Sequence, residues 1–119
     1  MTPLSVLYLV VVCACIVADV ASGLLAAWIT GTFRSEKMRE GAQHKVGELL
    51  AISLCYGVQY ALPLIGVMTT INFVRGFSIY IVIMEVSSVV ENIIKLDPEL
   101  SGPLGKLIDN IKGVFGQDE

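Results

Sequence analysis

Residues 4–33 form one apolar run broken by a single charge, Asp19, and that run decides which folds are open to the chain. At 1.5 Å per residue it is longer than the ~30 Å hydrocarbon layer of a bilayer. A cleaved leader does not account for it, because no basic residue precedes the run and the run continues past Asp19 beyond a leader's apolar core. The expectation is a retained membrane helix. Trp28 and Phe33 near its end suit an interfacial aromatic belt.

Two further runs repeat the theme. Residues 46–71 supply a second span, kinked at Pro63, since proline removes one backbone hydrogen bond and crowds the turn before it. Asn72, Arg75 and Gly76 make a polar break that reads as a hairpin turn, and residues 77–96 supply a third and more polar span. Between the first two runs lies the most polar stretch, 34–45, read as a loop in water. Asp97, Pro98, Ser101 and Pro103 punctuate the end of the third span. Leu104, Leu107, Ile108, Ile111 and Phe115 then recur at helical spacing, which predicts a short amphipathic helix over about 103–115. The expected fold is an all-α membrane protein over 1–119, a single domain of three transmembrane helices plus that tail.

Composition agrees with this class. Of 119 residues 55% are apolar and 16% charged, against about 25% charged in a soluble domain. Eight basic residues, a net charge of −3 and the absence of a basic stripe argue against a nucleic-acid partner. Cys13, Cys15 and Cys55 lie in apolar runs and suggest neither a disulfide framework nor a metal motif. The sequence contains no Ser/His/Asp or Cys/His constellation, phosphate-binding loop or dinucleotide fingerprint, so the reading is of a non-enzyme without cofactor or metal. His44 is assigned to the solvated loop.

Sidedness follows from the short loops. Arg34, Lys37, Arg39 and Lys45 crowd the first one, while the second turn offers only Arg75. The basic loop is therefore expected in the cytoplasm, with the N-terminus outside and the C-terminus inside.

Asp19 and Glu85 are the groups that demand a reason, because an ionised side chain at mid-bilayer costs about 2.5–3.5 kcal/mol on insertion scales. Asp19, Gly23, Ala27 and Gly31 fall four apart on one narrow face, a small-residue stripe of the kind that lets helices approach closely in lipid. On the third run Ser78, Ile81, Glu85, Ser88 and Asn92 make a polar stripe, with Glu91 beside it. Gln59 can add an interhelical hydrogen bond. Together these favour a homo-oligomer in which the polar stripes face protein or a hydrated path, with the carboxylates as switch candidates.

The set Asp19-Val-Ala-Ser-Gly23 with Ala27, then Ser35 and Gly41 leading to His44 and Lys45, then Glu85-Val-Ser-Ser-Val-Val-Glu91-Asn92, resembles the phage holin family that includes the toxin-secretion and phage-lysis holins. The resemblance covers roughly 19–108 and includes the tail Pro103-Leu-Gly-Lys-Leu107. It implies a small protein of the bacterial inner membrane that assembles into lesions and releases an endolysin or toxin. An acid inside the second span is expected of the family, whereas here Glu48 stands at its start. The competing class is a non-lytic membrane module, such as a small channel or a transporter or anchoring subunit, which three spans fit equally well.

Overall fold

A computed structural model describes residues 3–117, with side chains over 6–114. In order these form α1 (Pro3–Thr30), α2 (Ser35–Leu64), α3 (Phe73–Leu96), a 3-10 turn (Pro98–Leu100) and α4 (Ser101–Gln117). Among the described residues there is no strand. Two segments, Val6–Thr30 and Phe73–Leu96, are long and apolar enough to cross a membrane.

The second helix departs most from the sequence reading. The polar stretch expected as a loop is helical from Ser35 onward, so the basic residues Lys37, Arg39 and Lys45 ride on α2 and only Arg34 precedes it. The physical reason lies in the residues themselves: Glu, Lys, Met, Arg, Ala and Gln all favour helix, and no proline interrupts them. The result is a 30-residue helix, about 45 Å long, whose first half is polar and whose second half is apolar. Two membrane-length apolar helices are found where three were expected, because α2 spends half its length on polar residues.

The ends of the helices also move. Gly31, expected on the packing stripe of the first span, lies beyond Thr30 at φ +70°, in the left-handed region that glycine enters at no steric cost. It closes α1 rather than packing along it. Pro63 lies in the last turn of α2 and so marks a stop instead of a kink, and Gly66 at φ +83° turns the chain while the amide of Val67 reaches back to the carbonyl of Leu62 at 2.9 Å. The hairpin turn is therefore 65–72, earlier than the sequence reading put it. Asn72 caps α3 by accepting from the amide of Arg75 at 2.9 Å, which places Arg75 and Gly76 inside that helix.

Gln59 ties this turn down. Its side chain donates to the carbonyl of Ile71 at 3.1 Å and accepts from the amide of Phe73 at 2.7 Å, so it links α2 to the start of α3 within the chain. Gln59→Leu is expected to lower stability by about 1–2 kcal/mol and to speed hydrogen exchange at the Phe73 amide. Unfolding in mild detergent and amide exchange measure both, and unchanged exchange at Phe73 would mean that the turn is held by other contacts.

The third helix is the central one: α3 packs against both α1 and α2. Its inward stripe is Val74, Ser78, Ile81, Glu85 and Asn92, all buried. Opposite it α1 presents Val12, Ile16, Asp19 and Ala26, and α2 presents Glu48, Ile52 and Tyr56. Val12, Ile16, Ile52, Tyr56, Val74 and Ile81 make one apolar cluster toward the end where α2 turns into α3. Most remaining apolar side chains of α1 are exposed, including Val10, Val17, Leu25 and Trp28. A helix that buries one stripe and leaves the rest apolar is built for lipid.

Past the 3-10 turn, whose start Asp97 caps by accepting from the amide of Glu99, α4 packs on α3 and turns Leu104, Ile108 and Ile111 half inward. Leu107 and Val114 remain exposed, and the side chain of Phe115 lies outside the described residues.

Candidate functional site

The polar residues of the three long helices meet at one level. Lys45 is the centre of the arrangement: its ammonium donates to Asp19 of α1 and, at 2.5 Å, to Oε2 of Glu85 of α3. Glu85 is 1% exposed and Asp19 7%. Both acids lie about three helical turns from the nearer end of their helices, close to mid-depth of an apolar segment. Two carboxylates at such depth are costly alone, and an ammonium held between them offsets that cost through short charge-assisted bonds in a medium of low dielectric.

Asn92 extends the network from α3 to α1. Its Nδ2 donates to Oδ1 of Asp19 at 3.2 Å and to Oγ of Ser22 at 3.0 Å, and lies 3.4 Å from the carbonyl of Asp19. Gly23 lies against it, and a Cβ there would stand 3.4 Å from that same Nδ2, at van der Waals contact. The small residue thus faces a side chain of its own chain. Ala27 is half-buried on the same side.

Glu48 occupies the next turn of α2 beyond Lys45. It is buried, with Oε1 at 3.3 Å from Nε2 of His44 and 3.8 Å from the ammonium of Lys45, and neither of its carboxylate oxygens has a hydrogen-bond partner. Because α2 begins at Ser35, this acid is well inside the helix and not at its start.

Above the network lies a cleft of about 590 Å³, room for about twenty waters. Its walls are the second half of α1 (Val20, Leu24, Ala27), the first half of α2 (Lys37, Glu40, Lys45) and the far end of α3 (Asn92, Lys95). Arg34, Lys37 and Lys95 meet around it, so the connection between α1 and α2 lies at the same end of the molecule as the close of α3. α1 and α3 consequently run in the same direction, with α2 opposed.

The sequence-predicted residues divide cleanly. Asp19, Glu85, Asn92, Gly23 and, on the cleft wall, Ser88 are brought together; Glu91 is exposed and takes no part. Arg34, Lys37 and Arg39 are exposed as expected, but Lys45 leaves that group. Reading Lys45 as a solvated loop residue is corrected: ten residues of helix carry it about 15 Å down from Ser35, to the level of the two acids. A signal was present in the sequence. Lys45, Glu48, Ile52, Tyr56 and Gln59 keep a 3 and 4 spacing, so the inward face of α2 runs unbroken through the lysine.

A further correction concerns what shelters the acids. The expected shelter was a neighbouring subunit or a lumen, whereas Asp19 and Glu85 are buried against α2 and α3 or α1 and α2 of their own chain. The cation that pairs with them comes from the stretch expected as a loop.

The family model for the bacteriophage holin family matches residues 5–113. No curated protein and no solved structure matches the chain. The family match runs from the first turns of α1 into α4 and takes in Asp19, Lys45, Glu48, Glu85 and Asn92, and on that extent the chain belongs to the bacteriophage holin family.

Proposed function

We propose that the protein is a lytic holin: it accumulates in the bacterial inner membrane, assembles with copies of itself and opens a water-filled lesion that lets an endolysin or toxin pass. The family is one of membrane proteins and not of enzymes. The observation that carries the proposal is the level of Lys45. Its bond to Asp19 sets the first half of α2 beside the second half of α1, at the same depth in the molecule.

Those two half-helices want different solvents. α1 exposes Val20, Leu24, Leu25, Trp28 and Ile29, while α2 exposes Arg39, Glu40, Gln43 and His44. With Asp19 near the midplane, these four lie within about 10 Å of it, where charged side chains meet lipid only at a cost of a few kcal/mol each. A monomer alone in lipid leaves that cost unrelieved. Assembly that turns the first half of α2 toward a common lumen removes it, and leaves the apolar side of α1 on acyl chains.

On this reading α2 is the third transmembrane helix, with the N-terminus outside and Arg34, Lys37, Lys95 and α4 on the cytoplasmic side, in keeping with the excess of positive charge there. The charges of the network sit in the transmembrane field, which acts at about 2.3 kcal/mol per charge per 100 mV over the full thickness, so loss of potential shifts the balance between packed and open assemblies.

Inducible expression in a bacterium tests the activity. Growth arrest with an abrupt fall in membrane potential is expected once the protein has accumulated. Sustained growth and steady potential at full membrane accumulation would contradict it and favour a non-lytic module.

A further inference from the structure

From the trio His44, Glu48 and Glu85 we infer that the protein binds one first-row transition-metal dication, of which Zn²⁺ is the type, beside the cleft, with His44 on its wall. This does not rest on the lytic reading. One ligand atom from each residue lies within 4.8 Å of the others, and the His44 Nε2 to Glu48 Oε1 separation is 3.3 Å. Metal–ligand bonds of about 2.0–2.2 Å in a tetrahedral arrangement place neighbouring ligand atoms about 3.3–3.6 Å apart, so the His44–Glu48 edge is already formed.

Glu48 supplies the independent reason to expect a ligand. Its side chain is 6% exposed, and both oxygens are buried without a hydrogen-bond partner while facing His44 and Glu85. A buried carboxylate left in that condition costs several kcal/mol unless a cation or a proton meets it. Lys45 does not fill the role, because its ammonium is committed to Asp19 and to Oε2 of Glu85 and stands 3.8 Å from Glu48. The group carries three carboxylates, Asp19, Glu48 and Glu85, against one lysine; a dication closes the difference.

The donor set fits the metal class. One imidazole and two carboxylates suit Zn²⁺ and its neighbours rather than Ca²⁺ or Mg²⁺, which take oxygen ligands alone in larger number. His44 is half-exposed and lines the cleft, so the ion reaches the site from water and keeps a water as fourth ligand. The i, i+4 placement of His44 and Glu48 puts both on one face of α2, aimed at Glu85 of α3.

The test is titration of the purified, untagged full-length protein in detergent with Zn²⁺ by calorimetry, together with Co²⁺ loading followed by absorption. One Zn²⁺ per chain and the intense visible bands of tetrahedral Co²⁺ are expected. His44→Ala, a change at a half-exposed position that leaves the packing intact, is expected to weaken Zn²⁺ binding at least tenfold, as is Glu48→Gln. Glu40→Gln, on the cleft wall but outside the trio, is expected to bind like the wild type. Absence of stoichiometric binding by the wild-type protein, or wild-type affinity in His44→Ala, would overturn the inference.

Discussion

Lys45→Met lowers the stability of the three-helix unit by about 3–5 kcal/mol, the cost of removing one partner from a buried charge group and leaving the others uncompensated. The lysine side chain is 16% exposed and joins three helices at one atom, so nothing nearby can take its place. Methionine keeps the length of the side chain and removes only the charge. The expected signs are unfolding at lower denaturant in detergent and low steady-state accumulation in the membrane. Lys45→Arg retains the charge and is expected to lose much less.

The same reasoning predicts rescue. If Asp19→Asn, Glu48→Gln and Glu85→Gln are added to Lys45→Met, the group becomes neutral, and replacing a whole buried charge cluster is often neutral or stabilising. Accumulation of the quadruple variant near the wild-type level is therefore expected. A Lys45→Met protein as stable as the wild type would mean that the three charges are not the tie between the helices.

Arg39→Leu combined with Gln43→Leu should leave accumulation unchanged and lower permeabilisation at least tenfold. The two residues are one turn apart and exposed, and the same face continues into Val46, Leu50 and Leu54, which are apolar and exposed. The double change makes that face apolar from residue 39 to residue 54. The cost of holding the monomer in lipid then falls to what Glu40 and His44 still impose, and the drive to bring α2 onto a shared aqueous path is weakened. Neither residue touches the Lys45 network, so the fold is expected to stand. The rate of potential collapse after induction, set against the amount of protein in the membrane, measures the effect. Collapse at the wild-type rate would show that the outer face of α2 is not a lumen wall.

Much of this fold was legible in the sequence, and the part that was not has a clear physical origin. Apolar length announced α1 and α3, and a 3 and 4 spacing announced the polar stripe through Glu85 and Asn92, which is indeed the packed face of α3. What hydropathy does not reveal is a polar half-helix at membrane depth. Residues 34–45 were assigned to water because they are charged, although their helix propensity and the continuation of the inward face through Lys45 and Glu48 both argued for helix. From that one misreading the others follow: the cation for Asp19 and Glu85 was not found, and their shelter was sought in another subunit. Gly31 and Pro63 were misplaced by the few residues that separate a helix interior from its end, which pattern alone rarely resolves.

Thiol accessibility at residue 43 bears on the water-lined half of α2 most directly. In a protein whose Cys13, Cys15 and Cys55 are replaced by alanine, Gln43→Cys and Ala21→Cys place single thiols at matched depth, one on α2 and one on the exposed side of α1 away from the cleft. In native membranes after permeabilisation, a membrane-impermeant maleimide is predicted to label the thiol at 43 rapidly and to leave the thiol at 21 protected. Protection of both, under conditions where the potential has collapsed, would contradict a lumen lined by the first half of α2.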